Sequence, residues 1–322
     1  MNNRKVIKGI FFLGIGGGLF WYVYRDLDIH LIGETLNKLK YEWILLSFVF
    51  GLTSHFIRAV RWQMLIEPMG HKPKKLNLFL SVLVLYFINL VVPRGGEVAR
   101  CGTVTRYEKI PFVKLIGTVF VERITDVIAF FIIFIAIVLW KFELVNQLFA
   151  KLPLDFSGYQ SKIQTIGGVG IFVVLLYLGS KRFGLLDRFQ TKIQRLKNDI
   201  KQGIKAILLV RKRWLYIIYT ALIFLMWLFM LYVIFFAYAP TSNMSFAAAI
   251  FAYTVGTFAY LLPIQAGIGV WHFLIIQSLL LFGLEEEPGM MYALIAHTFT
   301  NVIYLVFGSV GFVILPFINQ RS

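Results

Sequence analysis

Cysteine occurs once in the 322 residues, at Cys101, which excludes disulfides within the chain and cysteine-rich zinc sites. The five histidines are scattered, with no HExxH or comparable pair at ligand spacing, so neither a metal site nor a cofactor is expected. Charge is scarce too: Asp, Glu, Lys and Arg make up 15% of the chain, while 59% is hydrophobic and the mean hydropathy is +0.76. That leaves too little polar surface to cover a water-soluble globule. Acidic residues are the rarer of the charged types, 16 against 32 Lys and Arg, for a net charge of +16. In so apolar a chain this excess marks loops facing anionic lipid, and no nucleic-acid partner is expected.

What the sequence has is long apolar runs. Trp214 to Leu284 contains no Asp, Glu, Lys or Arg, far beyond the roughly 20 residues of a bilayer-crossing helix. Apolar segments fall at about 6–24, 43–66, 76–93, 112–141, 164–180, 214–239, 245–262, 267–284 and 289–317. The first follows Arg4, Lys5 and Lys8 but has no small-residue cleavage site, so it is read as an uncleaved helix. Loop 67–77, with Lys72, Lys74 and Lys75 against Glu67, is expected on the cytoplasmic side. So is loop 181–213, where Lys and Arg far outnumber Asp187 and Asp199. Loops 25–42 and 142–163 are nearly balanced in charge and are expected outside.

These assignments constrain the segment between them. If 76–93 crossed fully, 142–163 would fall inside and the basic 181–213 outside, against the charge rule. Segment 76–109 is therefore expected to be a re-entrant hairpin, entering from the cytoplasmic side, breaking at Pro93-Arg94-Gly95-Gly96 and returning. Broken backbone is tolerated at membrane depth only under protein or beside a watery cavity.

The second half repeats the pattern: "LLPIQAGIGVWH" at 261–272 has the apolar run, proline and glycines of "LVVPRGGEVAR" at 90–100. The expected fold is an all-α polytopic membrane protein, an inverted-topology repeat with two Pro/Gly-broken re-entrant hairpins. The first repeat covers residues 1–162 (helices about 6–24 and 43–66, hairpin 76–109, helix 112–141). The second covers 163–322 (helices about 164–180 and 214–239, hairpin 245–284, helix 289–317). Charge does not say whether 245–284 is a hairpin or two crossings, and a chance coincidence of two Pro-Gly breaks stays open. Within 181–213, Leu186, Phe189, Ile193, Leu196, Ile200, Ile204 and Ile207 recur at three and four spacing between basic residues, as in an amphipathic helix on the cytoplasmic leaflet.

Three charged constellations are candidates for binding. Arg58 and Arg61, three apart, share a helix face, although arginines near a helix end also snorkel to headgroups. In Arg94-Gly95-Gly96-Glu97-Val98-Ala99-Arg100 the glycines allow a tight turn, and a returning helix opens its N–H groups toward the break. Arg94 and Arg100 flank that end, where a phosphate would meet backbone donors and guanidinium together. The competing reading has Glu97 capping the helix and pairing with one arginine. Glu122, Arg123 and Asp126 lie deep in segment 112–141 and are expected to face a bundle interior or wet cavity, unless they only tie helices together. Five arginines (58, 61, 94, 100, 123) then face three carboxylates (97, 122, 126), a surplus of two positive charges that an anionic guest would relieve. At the second break Gln265, Gly267, Gly269 and His272 offer uncharged contacts, with His297 and Asn301 four apart on the last helix; helix packing is the competing reading for each.

"RAVRW" at 58–62, "VPRGGEVAR" at 92–100, "VERITD" at 121–126 and "LPIQAGIGV" at 262–270 resemble, in order and spacing, the family of lysylphosphatidylglycerol synthase transmembrane domains, also called flippase-like domains. The resemblance spans nearly the whole chain. It implies a polytopic inner-membrane protein that moves, or helps to move, a lipid between leaflets. In two-domain members the membrane part flips an aminoacylated phospholipid made by a cytosolic synthase domain. This chain ends at Ser322, so the membrane part alone is expected and the lipid need not be lysyl-phosphatidylglycerol. The fourth block departs from the family's Pro-Gly-Gly and following Glu, having Gln265-Ala266-Gly267 and Trp271 instead.

The expectation is therefore a non-enzymatic transporter of an anionic phospholipid or lipid-linked phosphate in a bacterial inner membrane, with both termini cytoplasmic. Its partners would be the bilayer and that lipid, with self-association into a homo-oligomer left open. The alternatives are an intramembrane enzyme using Glu97, Glu122 or Asp126 as base, and a non-catalytic assembly partner.

Overall fold

A computed structural model describes residues 14, 17–25, 27–92, 95–151, 210, 212–261 and 265–320. Every regular element among them is helical. In chain order they are α1 (residues 17–24), α2 (Ile29–Lys38), α3 (Tyr41–Ile66), α4 (Lys75–Val91), α5 (Gly96–Glu108), α6 (Phe112–Trp140), α7 (Phe142–Lys151), α8 (Arg213–Tyr232), α9 (Phe246–Thr257), α10 (Val270–Leu280) and α11 (Glu286–Ile318). Among the described residues four apolar stretches are long enough to cross a membrane: Tyr41–Met69, Phe112–Trp140, Arg213–Ala237 and Glu286–Ile318. The fold is that of an all-α polytopic membrane protein.

α4, α5, α9 and α10 are shorter. The 17 residues of α4 reach about 25 Å at ~1.5 Å per residue, short of the roughly 30 Å hydrocarbon core. They pair instead as two antiparallel hairpins. In the first, α4 ends where Val92 turns extended, and the Gly96 N–H that opens α5 donates to Asn89 Oδ1 of the entering arm (2.9 Å). A Cβ on Gly96 would collide with the Leu85 carbonyl oxygen, so only glycine lets the arms approach this closely. Glu108 closes the mouth, accepting from the Lys74 N–H (3.1 Å) and from Asn77.

In the second hairpin Phe251 of α9 meets Phe282 just beyond α10 (5.7 Å between ring centroids), and Gly256 lies against Ile275 and Trp271. The reversal at its tip uses positive φ at Ala266 (50°), Gly267 (68°) and Gly269 (81°). The two arms are short, 12 residues in α9 and 11 in α10, against the roughly 20 of a full crossing.

Contacts with α11 fix the relation of the two. Asn77 and Asn319 exchange side-chain hydrogen bonds (2.9 and 3.0 Å), so the first mouth lies at the end of α11. The second mouth leads directly into the start of α11, and the hairpins therefore enter from opposite ends of the bundle. Their inner parts meet, because the turn Gln265–Gly267 touches α4. The first mouth's end carries Lys72, Lys74, Lys75, Arg106, Lys109 and Lys114 beside Glu67 and Glu108; the other carries Asp28, Glu34, Glu42 and Glu285–Glu287 beside Lys38, Lys40 and Lys141.

Two apolar cores hold this frame. One joins the start of α3, the end of α8, α9, α10 and α11; the other joins the end of α3 to α4, α5, α6 and Tyr216 of α8.

Two helices were not read from the sequence. α2 forms inside a segment taken as a loop, with Asp28 accepting from the His30 N–H (2.8 Å) and Leu31 and Ile32 packed on the core. α7 follows α6 after one bent residue and packs Val145 and Leu148 beneath Phe251. Both are short and amphipathic, and their charged faces hid an apolar stripe of about three per two turns. Residues 6–13, helix 164–180, most of segment 181–213 and Arg94 lie outside the described residues, and with them the symmetry of the division at 162/163.

Candidate functional site

Four guanidinium groups converge on two carboxylates. α3 supplies Arg58 and Arg61 on one face, α5 supplies Arg100, and α6 supplies Glu122, Arg123 and Asp126. α3 and α6 run antiparallel, locked by a hydrogen bond from Trp62 Nε1 to Thr118 Oγ1 (2.8 Å). Glu122 is the hub: it pairs with Arg58 Nε (2.8 Å), Arg123 Nη2 (2.8 Å), Arg100 Nη2 (3.1 Å) and Arg61 Nη2 (3.6 Å). Asp126 pairs with Arg61 Nη2 (2.7 Å), Arg123 Nη2 (3.0 Å) and Arg58 Nη2 (3.3 Å).

Arg100 apart, the cluster lies inside two of the stretches long and apolar enough to cross a membrane, those of α3 and α6. Arg58 stands 66 − 58 = 8 residues from the end of α3, about 12 Å at ~1.5 Å per residue, and Glu122 stands 122 − 112 = 10 residues from the start of α6, about 15 Å. Arg61, Arg100 and Glu122 are fully buried and Arg58 nearly so, whereas Asp126 is 15% and Arg123 38% exposed. Aromatic faces line the buried cations: Trp62 under Arg100 (4.1 Å), Tyr216 under Arg61 (5.5 Å), and Tyr86 and Trp227 by Arg58 (5.8 and 5.9 Å). Arg58 also donates to the Tyr86 hydroxyl, and Arg61 to Thr220 Oγ1 (3.0 Å).

Even so the cluster is not neutral. Four arginines against two carboxylates leave a surplus of two positive charges. The Nε atoms of Arg61, Arg100 and Arg123 are buried without a hydrogen-bond partner, as are Arg61 Nη2, Asp126 Oδ1, Trp227 Nε1, the Tyr253 hydroxyl and both nitrogens of His55. Unpartnered buried donors are costly, more so when charged. Burial therefore leaves Arg123 and Asp126 as the open edge. On α6, Phe130 lies 130 − 123 = 7 residues beyond Arg123, two turns along the same side, and meets Phe258 at the second tip (5.0 Å). α6 also packs on α5 and on α9, so the helix that carries this edge touches both hairpins.

The other sequence candidates divide into two groups. Gly95 and Gly96 form the reversal of the first hairpin, and Glu97 in the first turn of α5 is half-buried with no ion pair to any described residue. Arg94 is outside the described residues. The remainder gather at the second tip, apart from the arginines. His297 Nε2 lies 2.9 Å from the Ala266 carbonyl, and since a carbonyl only accepts, Nε2 carries the proton; Nδ1 then accepts from Asn301 Nδ2 (3.0 Å). His272 Nδ1 accepts from the Gly269 N–H (3.3 Å), and the two imidazoles stand 4.4 Å apart. Tyr24 and Phe20 of α1 cover His272 edge-on. Gly267 supplies the left-handed turn; Gln265 is in that turn, its side chain outside the described residues. No three His, Cys, Asp or Glu among the described residues come together as a metal set.

Sequence reasoning did not single out Tyr86, Tyr216, Thr220 or Trp227, which complete the arginine shell. Trp62 stood inside the "RAVRW" block, but the others sit on helices whose register against α3 has no signal in a single sequence. Asn89, which caps α5 from the opposite arm, was missed for the same reason.

The family described as the lysylphosphatidylglycerol synthase TM region matches residues 9–308. A UPF0104 membrane protein of Methanocaldococcus jannaschii is 26% identical over 202 residues, 61% of this chain and 56% of that protein, so the match spans little more than half of this relative. No solved structure matches.

Proposed function

The chain belongs to the lysylphosphatidylglycerol synthase TM-region family, and from that premise we propose that it carries an anionic phospholipid or lipid-linked phosphate between leaflets, without chemistry on it. The single observation behind this is the unneutralised arginine cluster buried between apolar spans, whose open edge, Arg123 and Asp126, lies on the helix that touches both hairpins. A phosphate there supplies acceptors for the orphaned guanidinium nitrogens and negative charge for the surplus, while acyl chains stay in the bilayer.

In this reading Glu122 holds Arg58, Arg61 and Arg100 in place before the lipid arrives, and Arg123 with Asp126 forms the entrance. Preorganisation of this kind avoids ordering long side chains at the moment of binding. Alternating access then comes from movement of one hairpin-bearing half against the other about the fixed site. The basic end faces the cytoplasm of a cell inner membrane, and with it the C-terminal end of α11, since Asn319 is bonded to Asn77 there.

The test is reconstitution. Liposomes containing the purified chain and fluorescent phosphatidylglycerol are exposed to a membrane-impermeant quencher, and the fraction of lipid reached is followed in time. Wild-type protein is expected to bring inner-leaflet label out faster than protein-free liposomes, and Arg100→Gln to return the rate to near background. No acceleration by wild-type protein, with or without an imposed ion gradient, would defeat the proposal.

A further inference from the structure

The same cluster also speaks to which headgroups it admits, an inference that rests on the transport reading above. Apart from Asp126 Oδ1 and Arg61 Nη2, which make no hydrogen bond but face each other as an ion pair at 2.7 Å, its unsatisfied side-chain atoms are donors: the Nε atoms of Arg61, Arg100 and Arg123, and beside Arg58 the indole N–H of Trp227. Its acceptors are already taken, Glu122 by four guanidinium groups and Asp126 by three. An ammonium group brings three more donors and one more positive charge, with no free carboxylate in the cluster to receive either. A phosphate brings only acceptors and negative charge.

We infer that the site selects lipid headgroups with net negative charge and no ammonium group, and rejects aminoacylated and ethanolamine headgroups. Lysyl-phosphatidylglycerol, the product that gives the family its name, is among those rejected. One carboxylate stands outside the cluster and defines the rival arrangement. Glu97, half-buried in the first turn of α5, has no ion pair to any described residue. A headgroup with its phosphate on the arginines and its amine on Glu97 would be zwitterionic or cationic, and would owe its affinity to that residue.

The experiment is a titration of the purified full chain in neutral detergent with short-chain phosphatidic acid, phosphatidylglycerol, phosphatidylethanolamine and lysyl-phosphatidylglycerol. Binding is read from tryptophan fluorescence and from the thermal midpoint. Phosphatidic acid and phosphatidylglycerol are expected to bind, and the two amine-bearing lipids to bind about tenfold or more weakly, the scale of a unit charge brought within several Å of like charge at an effective dielectric constant of ~20. Arg123→Gln, at the exposed edge where folding is least at risk, is expected to narrow the ratio of phosphatidylglycerol to lysyl-phosphatidylglycerol affinity by roughly two- to fivefold. Glu97→Gln is expected to leave that ratio unchanged.

Equal affinity for phosphatidylglycerol and lysyl-phosphatidylglycerol would overturn the selectivity and leave the transport proposal intact. So would a ratio that ignores Arg123→Gln or that shifts with Glu97→Gln. Failure of both anionic lipids to bind would overturn selectivity and transport proposal together.

Discussion

The two hairpins use the same backbone device for different ends. Each enters from its own end of the bundle, breaks near mid-depth and returns, and each uses glycine at the break. Around the first stands the four-arginine cluster, Arg100 among it; around the second stand two imidazoles and an amide, engaged with each other and with backbone. A break in a membrane helix frees polar backbone groups that must be satisfied locally. The first hairpin does so with Asn89 and keeps its charged groups under-satisfied nearby; the second spends its polar side chains on its own turn. Polar residues at a membrane break are thus of two kinds, those that complete the fold and those the fold leaves wanting.

The largest expected effect breaks the first kind of order outright. Glu122→Gln leaves three buried arginines and Arg123 with Asp126 as the cluster's one carboxylate, and loss of one partner from a buried ion pair costs about 3–5 kcal/mol. A large drop in thermal midpoint in detergent, with recovery by added phosphatidylglycerol or phosphatidic acid, is expected. Recovery is the informative half, because an anion replaces the missing carboxylate only if the ligand site and the cluster coincide. His297→Ala offers the matching test at the second tip, and there no lipid should rescue.

Next in size is Gly96→Ala. Its Cβ must push against the Leu85 carbonyl and the Asn89 side chain, prising the first hairpin's arms apart, at roughly 1–3 kcal/mol for an overpacked position. Because α5 carries Arg100, transport is expected to fall further than stability alone accounts for. Equal losses of both, measured by the quencher assay and the thermal midpoint, would mean that the arm spacing matters to the fold and not to the ligand.

Much of this frame was legible beforehand, and the reasons differ by element. The spans follow from run length, and the first hairpin from charge parity between loops, which is an argument about topology and needs no contacts. Convergence of Arg58, Arg61, Arg100, Glu122 and Asp126 was approachable because buried charges seek partners and few were on offer. The hub was not: Glu97 and Glu122 look alike in sequence, and only the register of α6 against α3 and α5 gives Glu122 four arginines, while Glu97 has none among the described residues. For 245–284 charge was silent, and α2 and α7 were hidden by their short amphipathic stripes. Tyr86 and Trp227 belong to the same class of blind spot, since helix rotation about its axis leaves no mark in an apolar run.

His297→Ala removes the bond to Ala266, which has φ 50° without being glycine and depends on its neighbours to stay there. The expected cost is about 1–3 kcal/mol, for an orphaned carbonyl and a released turn. Transport should slow, with the preference between phosphatidylglycerol and lysyl-phosphatidylglycerol unmoved. If that preference shifts, the second tip touches the headgroup and the contrast drawn above fails.

Asn301→Ala is the gentlest probe and the sharpest in interpretation. Among the described residues its amide bonds only His297 Nδ1, so removal costs about 0.5–1.5 kcal/mol and leaves the Ala266 bond in place. Transport within about twofold of wild type is expected, a change smaller than that of His297→Ala in the same liposomes. A larger loss than His297→Ala would reverse the order of dependence, making Asn301 a group that meets the lipid and His297 its support. The second hairpin would then hold part of the binding site, and the division between a tip that binds and a tip that only holds its shape would have to be given up.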